Sequence, residues 1–522
     1  MKVRNGLEAI GTSLLLLPWY LDFLSPSNIR MFHHGLPVTN LIGGLLVDLL
    51  VVAILAFAFL VTIRHLPAPA QRAAQTLFAA FMLWRMADVG IRAWITTSSS
   101  SNLRYEFLWD SVRKPAILLV LLASCLLAYF RPLIAQPAVA AVRLVIAAFA
   151  FSAVWIVPQL VRIALIHPLD ENSASLSLPA AASGGPNKRI IWILFDELSY
   201  DQTFDHPAFG VELPNFDRLR SESVSFNHLS PIGLSTDRII PSLFLGRRIN
   251  QIQSTVDSNL SYKDESRNLW VPYDPNATLF ALAQKNGWTA GIAGWYNPYC
   301  RMLASVLNAC SWEPEDINPL PIEQRGASED KTVLANAATL WSAFPVKAGQ
   351  QTAMASSGHI LGYRNVMARS GALIQNDPVR FIFLHFPLPH PPGMYDRRHR
   401  VLRPGGTYLD NLVLADETLG KLEQEIDATP SAGQTTLIVS SDHSWRISMW
   451  AHSSWSAEEE RASGGHFDDR PVLLIHFPGQ TSNTEVTSAT SELLEHDIIA
   501  GMLEGKIGNP EDLMAFLAQH PH

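Results

Sequence analysis

Four stretches of the chain carry carboxylates or imidazoles that could act together: Asp196-Glu197, His390, Ser441-Asp442-His443 and Gly464-Gly465-His466. Carboxylate with histidine suits zinc, or manganese where carboxylates dominate. A nucleophile is offered by Ser230-Pro231-Ile232-Gly233-Leu234-Ser235-Thr236-Asp237-Arg238, a hydroxyl-bearing turn that runs into an apolar helix. A hydroxyl at a helix N-terminus gains from the dipole and the exposed N–H groups, which also favour a bound anion. Metal coordination would lower its pKa and activate it. Thr236 is the first candidate and Ser235 the second, against the plainer reading of an N-cap. Arg238 would hold a phosphate oxygen or form a surface ion pair. Trp445 would narrow the pocket.

These residues need elements to bring them together. The apolar run Arg189–Phe195 is unbroken, as in a strand buried on both faces of a parallel sheet. Similar runs recur at Phe381–Phe386, Thr435–Val439 and Val472–Phe477, with helical patterns at Ala277–Lys285, Val333–Phe344 and Leu409–Asp427. The alternation predicts an α/β domain with a mainly parallel central sheet, whose ligand crevice lies beyond the carboxyl ends of the strands. The chemistry-bearing residues follow three of these runs, and His466 precedes the last.

Ahead of this domain the chain is strongly apolar. Five segments read as membrane spans of roughly 20 residues or slightly fewer: about Leu7–Leu24, Leu41–Ile63, Ala74–Ile95, Ala116–Phe130 and Leu144–Ile166. Arg85, Asp88 and Arg92 lie in the third, and Asp48 in the second would pair with Arg85 or Arg92, as a structural ion pair or as a polar entrance for a lipid headgroup. With the N-terminus inside, the inner segments hold Lys2, Arg4, Arg64, Arg72, Arg131 and Arg143, and the outer loops Arg30, Arg104, Arg113 and Lys114. Five spans then place the C-terminal domain outside. The expected division is a transmembrane region over 1–167, a Ser/Ala/Pro/Gly-rich tether over 168–188 and a catalytic domain over 189–522.

Composition agrees with that division. Hydrophobic residues make up 48% and charged residues 16% of the 522, and the net charge of −8 with no basic block argues against nucleic acid as a partner. Of the three cysteines, Cys125 lies in an apolar run. Cys300 and Cys310 are close enough for a disulfide, and a reduced pair is equally open.

A family resemblance joins these motifs. Phe195-Asp196-Glu197-Leu198, Thr236 five residues before Pro241-Ser242-Leu243, the run Leu384-His385-Phe386-Pro387-Leu388-Pro389-His390-Pro391 and Ser441-Asp442-His443 occur in the order found in sulfatase-like members of the alkaline phosphatase superfamily. The stretch from Tyr408 to Gly420, with Asp410, Asp416 and Leu419, resembles the helix before the Asp-His strand there. The likeness runs roughly from Arg189 to His476. About five spans followed by such a domain is similar to lipoteichoic acid synthases and lipid A phosphoethanolamine transferases.

The resemblance implies Asp196, Glu197, Thr236, Asp442 and His443 as ligands of a divalent metal, zinc or manganese, one ion or two. It implies Thr236 as the nucleophile that becomes phosphorylated, and His390 and His466 as ligands of a second metal or of substrate phosphate. His390 is also a candidate proton donor to the leaving group. The implied activity is phosphoryl-headgroup transfer from a phospholipid donor to an envelope glycan or lipid, in a bacterial cytoplasmic membrane with the catalytic domain outside. Hydrolysis by the same site is the alternative: a phosphodiesterase, phosphatase or sulfuric ester hydrolase. A non-catalytic envelope or transport protein is the alternative of another class. The sequence departs from the pattern in three places. Ser235-Thr236-Asp237-Arg238 lacks the proline that formylglycine formation needs. Ser444 stands where glycine is common. The disulfide-rich pattern of many phosphoethanolamine transferases is missing.

Overall fold

The computed structural model describes residues 2–24 apart from 19, 38–97, 116–166 apart from 125, 127–129 and 131, 187–254, 260–264, 268–314, 348–451, 456–464 and 468–520. Cys125, His466, most of the tether and the expected helix Val333–Phe344 lie outside them.

The N-terminal region is helical: Lys2–Leu16, Tyr20–Leu24, Val38–Thr62, Ala68–Thr97, Pro132–Phe149 and Ala153–Ile166, with further helical residues at 116–124. Among the described residues, two stretches are long and apolar enough to cross a membrane, Ile42–His65 and Ile134–Leu165. The second includes the expected fifth span and starts about ten residues before it. A five-span bundle is not borne out among the described residues. The first helix stops at Leu16, just before Pro18, after 15 residues, short of the ~20 a span needs. The third, Ala68–Thr97, carries Arg72, Arg85, Asp88 and Arg92. Only part of the fourth is described.

The short first helix packs centrally. Leu14 and Leu17 meet Ile42, Leu45 and Leu49, while Leu15 meets Met82 and Ile146. A Cβ on Gly11 would stand 2.0 Å from the Ile146 carbonyl oxygen, so only glycine permits this crossing. Its buried charges are matched by neighbours. Glu8 pairs with Arg4 at 2.8 Å and with Arg143 at 2.6 Å, Arg64 bonds Asn5, and Arg85 pairs with Asp88. Leu50, Leu55, Val154 and Leu165 face outward.

The C-terminal domain is built on an eight-stranded sheet: β1 Arg189–Phe195, β2 Val224–Phe226, β3 Ala290–Trp295, β4 Ala309–Glu313, β5 Phe381–Phe386, β6 Thr435–Ser441, β7 Leu473–His476 and β8 Thr484–Val486. Their spatial order is β8-β2-β7-β6-β1-β5-β3-β4. All run parallel except β7, which is antiparallel to both neighbours. The expected mainly parallel sheet is therefore present, and β7 begins, rather than ends, at the rim where the parallel strands end. That reversal explains why the residues ahead of β7 lie on the same rim as those that follow β1, β5 and β6.

Strand β1 is central and wholly buried because its side chains alternate between two apolar layers. Ile190, Trp192 and Leu194 join the helices Thr236–Leu245, Leu279–Lys285 and Leu494–Leu503. Ile191, Ile193 and Phe195 join Pro214–Ser221, Ala348–Gln375 and Tyr408–Asp427. Cys310 on β4 forms a disulfide with Cys300.

Candidate active site

Strand β1 ends at Phe195, and its next two residues make the floor of the site. Asp196 and Glu197 are buried, and Glu197 has φ +65°, a left-handed conformation that a non-glycine residue adopts at a cost. The surroundings hold it there. The Glu197 N–H donates to Asp442 Oδ1 at 3.2 Å, and the Tyr408 hydroxyl donates to the Glu197 carbonyl at 2.8 Å. Phe195 pairs in register with Ser441 of β6, so Asp442-His443 leaves its strand beside Asp196-Glu197.

Thr236 opens the helix Thr236–Leu245, with Ser235 as the extended residue before it. Thr236 Oγ1 donates to Asp442 Oδ2 at 2.7 Å and stands 3.5 Å from Asp196 Oδ2. The Ser235 hydroxyl is turned instead onto Asp237. Arg238 is occupied away from the carboxylates: its Nη1 donates to the Asn250 carbonyl at 3.2 Å and its Nε lies 3.5 Å from Asp237.

The histidines converge on the same carboxylates. His443 bonds the Ser444 carbonyl through Nδ1 at 3.0 Å, which leaves Nε2 as the lone-pair nitrogen. That Nε2 lies 3.3 Å from Asp442 Oδ2 and 3.8 Å from Asp196 Oδ1, and makes no hydrogen bond among the described residues. Burial pushes the His443 pKa down to about 3, helped by the nearby Arg446 charge. The ring is thus neutral, with its Nε2 lone pair available, as a metal ligand must be.

His385, on β5, stands on the other side of Asp196, with Nε2 3.8 Å from Asp196 Oδ2 and Nδ1 2.7 Å from the Tyr299 hydroxyl. Burial lowers its pKa to about 4. Gly294 on β3 makes this pair possible, since a Cβ there would lie 2.4 Å from the Tyr299 ring. His390 is fixed by its backbone. Its N–H donates to the Asp196 carbonyl at 3.1 Å, and Asn411 from the neighbouring helix donates to its carbonyl at 3.0 Å. Its Nε2 is 3.9 Å from Glu197 Oε1, and burial, with Arg446 beside it, holds its pKa well below the usual histidine range.

Among the described residues, two groups thus have metal-binding spacing, Asp196–Asp442–His443 and Asp196–Glu197–His390. The first fits a divalent cation on two observations: the neutral His443 Nε2 without a hydrogen bond, and the charge balance. With the histidines neutral, the three buried carboxylates Asp196, Glu197 and Asp442 outnumber one guanidinium, Arg446, among the described residues, and burial raises the Asp442 pKa. A buried imbalance of that kind is costly unless a cation offsets it.

Arg446 and Trp450 lie at the site without any motif to announce them. Arg446 Nε bonds Glu197 Oε1, its Nη2 is 3.0 Å from His390 Nε2, and its Nη1 donates to the Leu234 carbonyl at 3.4 Å. Burial opposes its charge, but Glu197, Asp196 and Asp442 outweigh that, so its pKa is raised. Trp450 Nε1 lies 3.0 Å from each Glu197 oxygen. The expected pocket-narrowing Trp445 is elsewhere: it is 3% exposed and stacks on Tyr408 with ring centroids 4.1 Å apart. The indole at the site belongs to Trp450, one helical turn beyond Arg446. Asp410 and Asp416 have structural surroundings. Asp410 forms a capping box with Thr407, and Asp416 accepts from Asn215 and Phe216.

No protein-family model and no curated protein matches the chain. Solved structures do resemble it. A phosphonate monoester hydrolase of Agrobacterium radiobacter is 16% identical with a TM-score of 0.34, over 61% of this chain and 74% of that one. The PsFucS1 sulfatase from Pseudoalteromonas sp. is 14% identical with a TM-score of 0.39, over 61% and 68%. A protein in the alkaline phosphatase superfamily from Vibrio parahaemolyticus is 15% identical with a TM-score of 0.37, over 63% and 69%. At these scores the chemistry has to be argued from the side chains themselves.

Proposed function

We propose that the chain is a membrane-anchored, divalent-metal-dependent enzyme of the alkaline phosphatase superfamily that cleaves a phosphodiester or sulfate ester through a covalent Thr236 intermediate. The observation that carries this reading is the Thr236 hydroxyl, 2.7 Å from Asp442 Oδ2, at the helix N-terminus beside the buried Asp196–Asp442–His443 group. Asp196, Asp442 and His443 would hold the ion, zinc or manganese. When bound, it would favour the ionised threonine and offset charge on the ester oxygens.

Asp442 Oδ2 takes the Thr236 proton as the Oγ1–phosphorus (or sulfur) bond forms and the bond to the leaving oxygen breaks. The leaving oxygen takes its proton from solvent, since a His390 ring held neutral by burial and by Arg446 has none to give. The helix that begins at Thr236 offers the positive end of its dipole to the ester anion. Water then attacks the threonine ester, releases the acid and restores the hydroxyl. His466 stays a candidate for substrate contact, while Arg238 is held by Asn250 and Asp237.

The two long apolar helices favour a second reading, transfer of a phospholipid headgroup to an envelope glycan or lipid in a bacterial inner membrane, with the domain outside. One experiment separates these outcomes. Purified full-length protein, loaded with manganese or zinc, is given labelled phospholipid and, separately, chromogenic phosphodiester and sulfate esters. Diacylglycerol released without acceptor supports hydrolysis, and release only with acceptor supports transfer. Turnover that persists in Thr236→Ala rejects both.

A further inference from the structure

We propose that Glu492 is a positioning residue for the nucleophile: it fixes the turn that leads into Thr236, and so sets where the attacking oxygen stands. The inference rests on the reading that Thr236 is the nucleophile. Two groups of Glu492 bind one short loop. Its N–H donates to the Ser230 carbonyl at 2.9 Å, and its Oε2 accepts from the Ile232 N–H at 2.8 Å. Leu229–Ser230 and Thr490–Ser491 run as a parallel pair, which brings Glu492 to this loop. Both Glu492 and Ile232 are buried. Without the carboxyl the Ile232 N–H is left unpaired out of water, a cost that only a shift of the loop relieves. Ile232 stands four residues ahead of Thr236, so that shift reaches the hydroxyl.

The far end of the same helix is seated by the same C-terminal stretch. His496, on the helix Leu494–Leu503, donates from Nδ1 to the Leu243 carbonyl at 2.8 Å. The helix Thr236–Leu245 closes at Gly246, with φ +65°, where a Cβ would stand 2.5 Å from the His496 ring. Glycine there both turns the chain and lets the ring lie against the helix end. Residues 492 and 496 thus hold the nucleophile's helix before its first turn and at its last. Asn297 adds a bond to the Thr236 carbonyl at 3.3 Å. Glu492 serves as an acceptor rather than as a charge. Burial, with Glu495 nearby, holds its pKa well above the usual carboxyl range and favours the uncharged acid. A glutamine oxygen at that place accepts the same bond, and alanine offers none.

The test measures rate per competent molecule. Full-length wild-type protein, Glu492→Gln, Glu492→Asp and Glu492→Ala are loaded with manganese or zinc and assayed on chromogenic phosphodiester and sulfate esters. Turnover is expressed per metal-loaded chain, so that loss of folded protein does not register as loss of rate. In Glu492→Ala, kcat is expected to fall by about 100-fold, the effect of a displacement of about 1 Å between reacting groups. KM should stay within a few-fold of wild type, because the interaction lost acts on the transition state. Glu492→Gln should recover turnover to within a few-fold of wild type, and Glu492→Asp, one methylene short, should fall between. An unchanged kcat per metal-loaded chain in Glu492→Ala overturns the inference and leaves the role of Thr236 intact. So does a Glu492→Gln as slow as Glu492→Ala, since the amide offers the same acceptor. If Glu492→Ala does not fold, Glu492→Asp decides: wild-type kcat there overturns the proposal. No turnover by wild type, or turnover that persists in Thr236→Ala, removes the nucleophile reading and this inference with it.

Discussion

The helical region and the α/β domain both bury charge, and they do so differently. In the helices, Glu8 lies between Arg4 and Arg143, and Asp88 pairs with Arg85. At the rim of the sheet, Asp196, Glu197 and Asp442 share one guanidinium. Matched charges within a bundle hold helices in register and ask for nothing further. Three carboxylates that share one guanidinium beside neutral imidazoles ask for a cation. A charge balance taken over a whole buried cluster thus separates structural ion pairs from a reactive centre, where sequence alone shows only charged residues in apolar surroundings.

The sharpest way to break this contrast is to remove the nucleophile. Thr236→Ala should lower ester turnover by about 10³-fold or more without changing the melting temperature appreciably. Turnover of chromogenic esters, read beside thermal unfolding, checks both halves. A smaller effect is expected from Asp442→Asn, which takes away a candidate ligand and the partner of the Thr236 hydroxyl. Metal affinity should fall more than about 100-fold, beyond what outer contacts contribute, as measured by chelator competition. Glu8→Gln is the matching variant in the helical region. It should leave metal affinity unchanged and destabilise the protein by about 3–5 kcal/mol, because Arg143 loses its buried partner. Equal metal losses in both variants would erase the distinction drawn here.

Two milder tests sharpen it. Loading the metal at about 100 times its Kd should stabilise the folded domain by roughly 2.7 kcal/mol, and a chelator should reverse that. The gain should disappear in Asp442→Asn and persist in Glu8→Gln. The second test concerns Glu495, a buried acid outside the metal group whose pKa burial pushes up to about 8. Its value in the unfolded chain is near 4.5, so between pH 4.5 and 8 the unfolded state gives up a proton that the folded state keeps. Stability is therefore greatest below pH 4.5 on this account and declines as pH rises to about 8, by a few kcal/mol at most. Glu495→Gln should flatten that decline in melting temperature between pH 5 and 8. An unchanged slope would show that Glu495 does not titrate in this way.

How much of this was legible in the sequence depends on the range over which each feature is set. Local rules marked β1 and β5 at their observed ends, because unbroken apolar runs bounded by polar residues admit few other readings. The same rules placed Asp196, Thr236, His390 and Asp442-His443 at the rim. Of the five spans they marked, two coincide with stretches long and apolar enough among the described residues, while Lys2–Leu16 is short and Ala68–Thr97 carries several charges. The reversed direction of β7 could not be read from its four residues, because strand direction is decided by the pairing partner.

By itself the sequence determined which residues leave the carboxyl ends of the sheet strands and that a hydroxyl begins the helix at 236, since periodicity and turn chemistry act over a few neighbours. Only the tertiary structure decided that Ser235 turns away to Asp237, that Trp445 is buried against Tyr408 while Trp450 reaches Glu197, and that Arg446 stands between Glu197 and His390. Those choices depend on where side chains hundreds of residues apart come to rest, and on a charge balance that exists only once they have been taken out of water.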